Sequence, residues 1–215
     1  MTQHPVLNCA LVALLLLALP VNAGENEVVR PRTHSQLLAS YLYKLPQYAE
    51  WPKDTFANEK TPFIIGILGS DPFEEVNDGK ARAGELAMQA VLRQLGIGEM
   101  IRIKTGETNL ISRKLVIKVF TVPQEEIAGC HLLFVSSSME KRWPDALKLI
   151  EKSSVLTVGD TSDFIDHEGM INCFVRKTVD GKEKMSLGIN LVAARRNNLK
   201  LDSALYSAAE RRIKG

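Results

Sequence analysis

Apolar residues follow two rhythms along this chain, and each change of rhythm marks a change of element. From Ser35 onward, Leu37, Leu38, Tyr41, Leu42, Leu45 and Tyr48 recur at three- and four-residue spacing, which predicts a helix. Pro46 falls inside that pattern and ends or kinks the helix just before it, because its ring removes a backbone donor and crowds the preceding turn. Trp51-Pro52 marks the exit. Pro62 then introduces an unbroken apolar run, Phe63 to Leu68, read as a buried strand and closed by the turn Gly69-Ser70-Asp71-Pro72.

Arg82 to Leu95 reads as a second helix, stopped by Gly96 and Gly98. A short strand is expected at Met100 to Ile103, followed by a polar loop around Thr105 to Asn109. Lys114 to Phe120 alternates with period two, Leu115, Ile117 and Val119 on one face against Lys114 and Lys118 on the other. Pro123 to Gly129 is a turn or short helix, His131 to Val135 a buried strand, Glu140 to Lys152 a helix and Val155 to Val158 another strand. Met170 to Arg176 and Lys184 to Ile189 flank Asp180-Gly181, a hairpin signal. Helical patterns over Leu191 to Arg196 and Ser203 to Ile213 close the chain. This alternation predicts an α/β fold, a three-layer sandwich whose mixed, mostly parallel sheet carries helices on both faces.

The N-terminus changes the picture. Ala10 to Leu19 is apolar for about ten residues, too short for a bilayer and right for the core of a secretory signal. Val21-Asn22-Ala23 supplies small residues for cleavage after Ala23. The expected organisation is a leader over 1–23, a flexible lead-in over 24–34 and one domain over 35–215, in a protein exported to the periplasm. About 190 residues remain after cleavage, enough for one substantial core. A net charge of +2 argues against a nucleic-acid partner, which calls for a basic stripe. Cys130 and Cys173 survive cleavage, and in an oxidising compartment an even pair is a candidate disulfide, contributing about 4 kcal/mol in the chain-entropy model.

Candidate chemistry is sparse. No cysteine or histidine stands at metal-ligand spacing, and no phosphate-loop, nucleophile-elbow or metalloprotease motif occurs, so neither a cofactor nor a catalytic residue is expected. Cys130 and His131 are adjacent on a strand, where side chains diverge, which disfavours a nucleophile pair. Ser136 and Asp160 follow predicted strands at their carboxyl ends, where α/β sheets bind ligands, and are the candidates for a small-ligand pocket. The plainer reading makes Ser138 a helix cap and Asp160 a turn residue. Aromatics are only 6% of the chain, yet Tyr41, Tyr43, Tyr48 and Trp51 fall close together. Interface anchors are enriched in such residues, so Tyr43, Tyr48 and Trp51 are the candidates for partner binding.

Several fragments, in order, resemble the YfiR family of bacterial periplasmic proteins. They are Tyr43 to Pro52, Pro62 to Phe73, Arg113 to Val119, Cys130 to Ser136, Val155 to Asp160, Gly169 to Val175, Leu187 to Ala194 and Leu199 to Ala209. The resemblance implies a binding protein without catalytic residues. It implies a repressor, as a homodimer, of the periplasmic part of an inner-membrane diguanylate cyclase, lowering cyclic-di-GMP and restraining biofilm. An outer-membrane lipoprotein would counteract it. The alternative is a ligand-sensing adaptor of the same fold for another receptor, such as a sensor kinase. Relatives often carry a cysteine where this chain reads Ile65-Gly66-Ile67, a partner for the cysteine of the Cys-His-Leu-Leu-Phe segment; without it, Cys173 is the partner left for Cys130.

Overall fold

A computed structural model describes residues 33–214, apart from 78–79, 83–84, 106–108, 178–180 and 182. The predicted leader, the lead-in up to residue 32, and Asp180 lie outside these residues. Helix α1 (His34–Lys44) starts on a reciprocal cap: the Thr33 hydroxyl accepts the Gln36 N–H, and the Gln36 side chain accepts the Thr33 N–H. As Pro46 predicts, α1 stops at Lys44, and one 3-10 turn, Leu45–Tyr48, carries the chain into β1 (Ala49–Glu50).

Strand β2 (Phe63–Leu68) is followed by the hairpin β3 (Glu75–Asn77) and β4 (Lys80–Arg82), then α2 (Glu85–Gln94), β5 (Met100–Thr105) and β6 (Asn109–Phe120). A 3-10 turn, Glu125–Gly129, leads to β7 (Leu132–Val135), and another, Ser137–Arg142, to α3 (Trp143–Ile150). The rest is β8 (Leu156–Gly159), β9 (Ile171–Lys177), β10 (Glu183–Asn190), α4 (Leu191–Arg196), β11 (Lys200–Leu201), α5 (Ser203–Ala208) and β12 (Arg211–Ile213).

The result is a mixed α/β fold around one ten-stranded mixed sheet, ordered β11-β1-β5-β6-β2-β7-β8-β9-β10-β12. The block β6-β2-β7-β8-β9 is parallel, while β5 with β6, β9 with β10 and β1 with β11 pair antiparallel. Strands β2, β7 and β8 are buried on both faces, which is why they read as continuous apolar runs rather than alternations. In β7, Leu132 and Phe134 enter a large cluster with α1, α2 and Phe63, Ile65 and Ile67 of β2. Leu133 and Val135 enter a smaller one with Trp143 and Ile150 of α3.

Three sequence expectations are corrected. The second helix begins at Glu85, because residues 80–82 pair with β3 instead. The last helix ends at Ala208 rather than Ile213. Residues 211–213 complete the sheet beside β10, the Glu210 N–H donating to the Leu187 carbonyl at 2.9 Å, so an open ladder outbids a helical tail. The cysteines form no disulfide: both are free and buried, Cys130 in the smaller cluster and Cys173 in the larger, in different layers of the core. Burial pushes both thiols up to about 12, so both stay protonated.

Candidate functional site

The kink at Pro46 separates the aromatic group into two environments. Trp51 turns inward and is 3% exposed; its ring meets Phe63 edge-on at 5.3 Å, and its indole N–H donates to the Ser154 carbonyl at 3.0 Å. It is therefore a core anchor and no partner-binding residue, correcting the sequence expectation. Tyr43 packs its ring on the larger cluster and donates its hydroxyl to the Met100 carbonyl at 2.8 Å, which pins it. Tyr48 alone of the three turns outward, at 39% exposure.

Tyr48 forms one wall of a groove of about 350 Å³ between α1 and α5. Tyr41 and Leu45 line its α1 side, Leu205 and Ala208 its α5 side, Leu187 its floor, and Lys44 stands at its edge. The walls are fixed. Tyr41 donates to the Met185 carbonyl at 3.4 Å, and the Asp202 N–H donates to the Tyr48 carbonyl at 2.8 Å. Asp202 also caps α5 through the Ala204 N–H and takes Lys104 at 2.9 Å, contacts that hold its carboxyl below the usual range. An exposed aromatic beside an apolar cleft and a cation suits a protein side chain seeking an anchor. The sequence singles out Tyr48 and predicts a helix from Ser203, but not that α5 shares a groove with Tyr48. Its signal was there, in Leu205 and Ala208 three residues apart, but nothing local says they face α1.

The second candidate site lies at the carboxyl ends of the parallel strands. Chain connections leave β2 and β7 toward different layers, α2 in the larger cluster and α3 in the smaller, so their carboxyl ends form a switch point. The crevice there is filled by the protein itself. Ser70 donates its N–H to Ser138 Oγ at 2.9 Å, and Ser138 Oγ reaches Ser136 Oγ at 3.3 Å. Gly69 has φ +98°, and a Cβ on it would stand 2.5 Å from Ser138 Oγ. The cap of the following turn is Ser136, which accepts the Ser138 N–H, rather than Ser138.

Ser136 and Asp160 sit on adjacent strand ends, in line with the register Val135 to Gly159, yet they do not line one cavity. Ser136 edges a hollow of about 510 Å³ floored by Trp143 and Phe164, and Asp160 stands outside its lining. Burial raises the Asp160 pKa, against hydrogen bonds from the Ser137 N–H and its own. Three acidic groups on the rim of the hollow are engaged: Asp163 with His167 at 3.1 Å, Asp166 with Arg211 at 2.6 Å, and Glu168 with Arg196.

His131 and Cys130 diverge as expected. Cys130 Sγ lies against Gly66, while the His131 ring packs with Phe56 and Phe63 at centroid distances of 4.8 and 5.1 Å. Burial, reinforced by the Arg113 cation, lowers the His131 pKa to about 4. Arg113 in turn lies 5.1 Å above the Phe56 ring and donates to the carbonyls of Asn58 and Thr61.

Among the described residues, no helix is long and apolar enough to cross a membrane. No curated protein matches the chain. A crystal structure of a conserved domain protein from Vibrio cholerae O1 biovar El Tor is similar, with a TM-score of 0.50 at 12% identity over 85% of this chain and 61% of that one. An ABC domain from Streptococcus pneumonia, solved in complex with L-Trp, has a TM-score of 0.45 at 11% identity, covering 83% of this chain and 60% of that one. The chain thus spans about six tenths of the length of either structure, and the first likeness speaks to fold alone. The ordered fragments from the aromatic helix to the closing tail carry the assignment: a family model described as YfiR/HmsC-like matches residues 35–210, and the chain belongs to that family.

Proposed function

We propose that this protein is an exported regulator that docks on the periplasmic sensor part of an inner-membrane diguanylate cyclase and represses it, lowering cyclic-di-GMP and biofilm formation. Membership of the YfiR/HmsC-like family across residues 35–210 carries this reading. The leader-like segment Met1–Ala23 and the lack of a membrane-crossing helix among the described residues accord with a periplasmic site of action. Repression requires that the protein favour the inactive state of its target, since a binding protein shifts an equilibrium only by its differential affinity. The groove between α1 and α5, with Tyr48 as its exposed anchor, is the docking face in this reading. An outer-membrane lipoprotein that sequesters the protein, and a homodimer as its working form, complete the proposal.

The test is genetic and biochemical together. Deleting the gene should raise cellular cyclic-di-GMP and surface attachment, and the wild-type gene should reverse both. A Tyr48→Glu protein that folds and is exported should reverse them poorly and capture less cyclase from solubilised membranes. Unchanged cyclic-di-GMP on deletion would sink the proposal. Full repression by Tyr48→Glu would move the docking face elsewhere.

A further inference from the structure

A second cavity, of about 570 Å³, opens at the end of the sheet opposite Ser136, where β7 and β8 begin. Pro52 and Asp54 form one wall, Cys130 and His131 another, and Lys152 to Ser154 with Asn198 the rest. Three of these residues, Lys152, Ser154 and Asn198, hold left-handed backbone at φ 63°, 54° and 58°, a conformation that side-chain-bearing residues rarely adopt. The surroundings enforce it. The Lys152 N–H donates to Asn197 Oδ1 at 3.1 Å, and the Ser154 carbonyl accepts the Trp51 indole at 3.0 Å.

His131 is the group that gives this cavity a chemistry. The residue is buried, at 7% exposure. Its Nδ1 accepts the Ile64 N–H at 3.0 Å, which places the proton of the neutral ring on Nε2. No described residue accepts from Nε2, and it is not among the side-chain atoms closed off from solvent without a partner, so this N–H stays open to a small molecule. Contact with Phe56 and Phe63 fixes the ring plane of His131, a residue of the cavity wall. Lys152 adds a cation to the same lining, and Asp54 is the one carboxylate there.

We propose that this cavity binds a small molecule through a singly charged oxyanion, a carboxylate or a phosphoryl group, with His131 Nε2–H donating to one oxygen and Lys152 balancing the charge. Asp54 opposes a second negative group and so sets the ligand's charge. The site is independent of the Tyr48 groove and of the identity of any protein partner.

Acetate and inorganic phosphate are the probes, added separately to the purified protein at pH 7. Long-range proton–nitrogen spectra should show the Nε2–H tautomer of His131, and at least one probe should shift Nε2 while leaving Nδ1 in place. A response to acetate alone assigns a carboxylate, and a response to phosphate alone a phosphoryl group. Lys152→Gln should weaken the responding probe about tenfold, and Asp54→Asn should tighten it. His131→Phe, which keeps the ring packing, should abolish binding measured by calorimetry. Wild-type protein in which neither probe moves Nε2 overturns the proposal, as does unchanged affinity in Lys152→Gln and His131→Phe.

Discussion

Gly66 offers a direct test of the core geometry. Family relatives often carry a cysteine in this strand, and here a Cβ built on Gly66 would lie 2.7 Å from Cys130 Sγ. A bonded Cβ lies about 3.0 Å from its partner's sulfur, so after a shift of a few tenths of an ångström Gly66→Cys should bridge to Cys130 when the protein is refolded with oxidised glutathione. The closed loop holds about 64 residues, which in the chain-entropy model stabilises by about 4 kcal/mol. Against this stands crowding, because the same Cβ meets Leu133 Cδ1 at 2.9 Å and Phe120 Cε2 at 3.2 Å. Inserting atoms into a filled core costs about 1–3 kcal/mol. The reduced variant should therefore be less stable than wild type by that amount, and the oxidised one more stable by about 1–3 kcal/mol. Urea unfolding with and without reductant reads both differences, and thiol titration of the denatured protein counts the bridge. If all thiols still titrate after oxidation, or the midpoint ignores reductant, the placement of Cys130 against β2 is wrong.

The other predictions follow from burial. Trp51→Ala should cost roughly 3–5 kcal/mol in urea unfolding, and Tyr48→Ala no more than about 0.5, since only Trp51 fills the core; equal losses would refute that division. Both wild-type thiols should resist a thiol reagent in the native protein and react in denaturant, and fast native labelling would contradict their burial. His131 titrates near 4 in the fold and near 6.5 when unfolded, so between those values the unfolded chain binds the additional proton and stability rises with pH. That stability is fully present above about pH 6.5 and is lost as the pH falls toward 4. Urea midpoints should fall on acidification more steeply for wild type than for His131→Phe, by up to about 3 kcal/mol; parallel slopes would refute it.

The elements easiest to read were those with the simplest surroundings. Phe63–Leu68 and Leu132–Val135 are buried on both faces, so composition alone announces them. Residues 209–213 misled because their helical pattern is local, whereas what decides them is the unfilled edge of β10. Spacing placed Tyr48 and Trp51 in one aromatic group, but Pro46 breaks the helical phase between α1 and both, and one turns out while the other turns in. The commitment of His131 Nδ1 was invisible in sequence, because its donor, Ile64, lies 67 residues away along the chain. Ser136 and Asp160 were rightly seen at strand ends, yet only the packing of Ser138 against Gly69 shows how full that crevice is.

Both rims of the great sheet end in stubs, two residues in β11 and three in β12. Lys200 on one pairs with Glu50, and on the other Arg211 pairs with Asp166 while Arg212 lies over the Tyr206 ring, so charged side chains stand along the last unpaired backbone. A stranger's strand finds scarcely a rung to grip there, and charged side chains on the rims disfavour edge-to-edge pairing. Rims this short and this charged limit strand-on-strand stacking between copies of the chain.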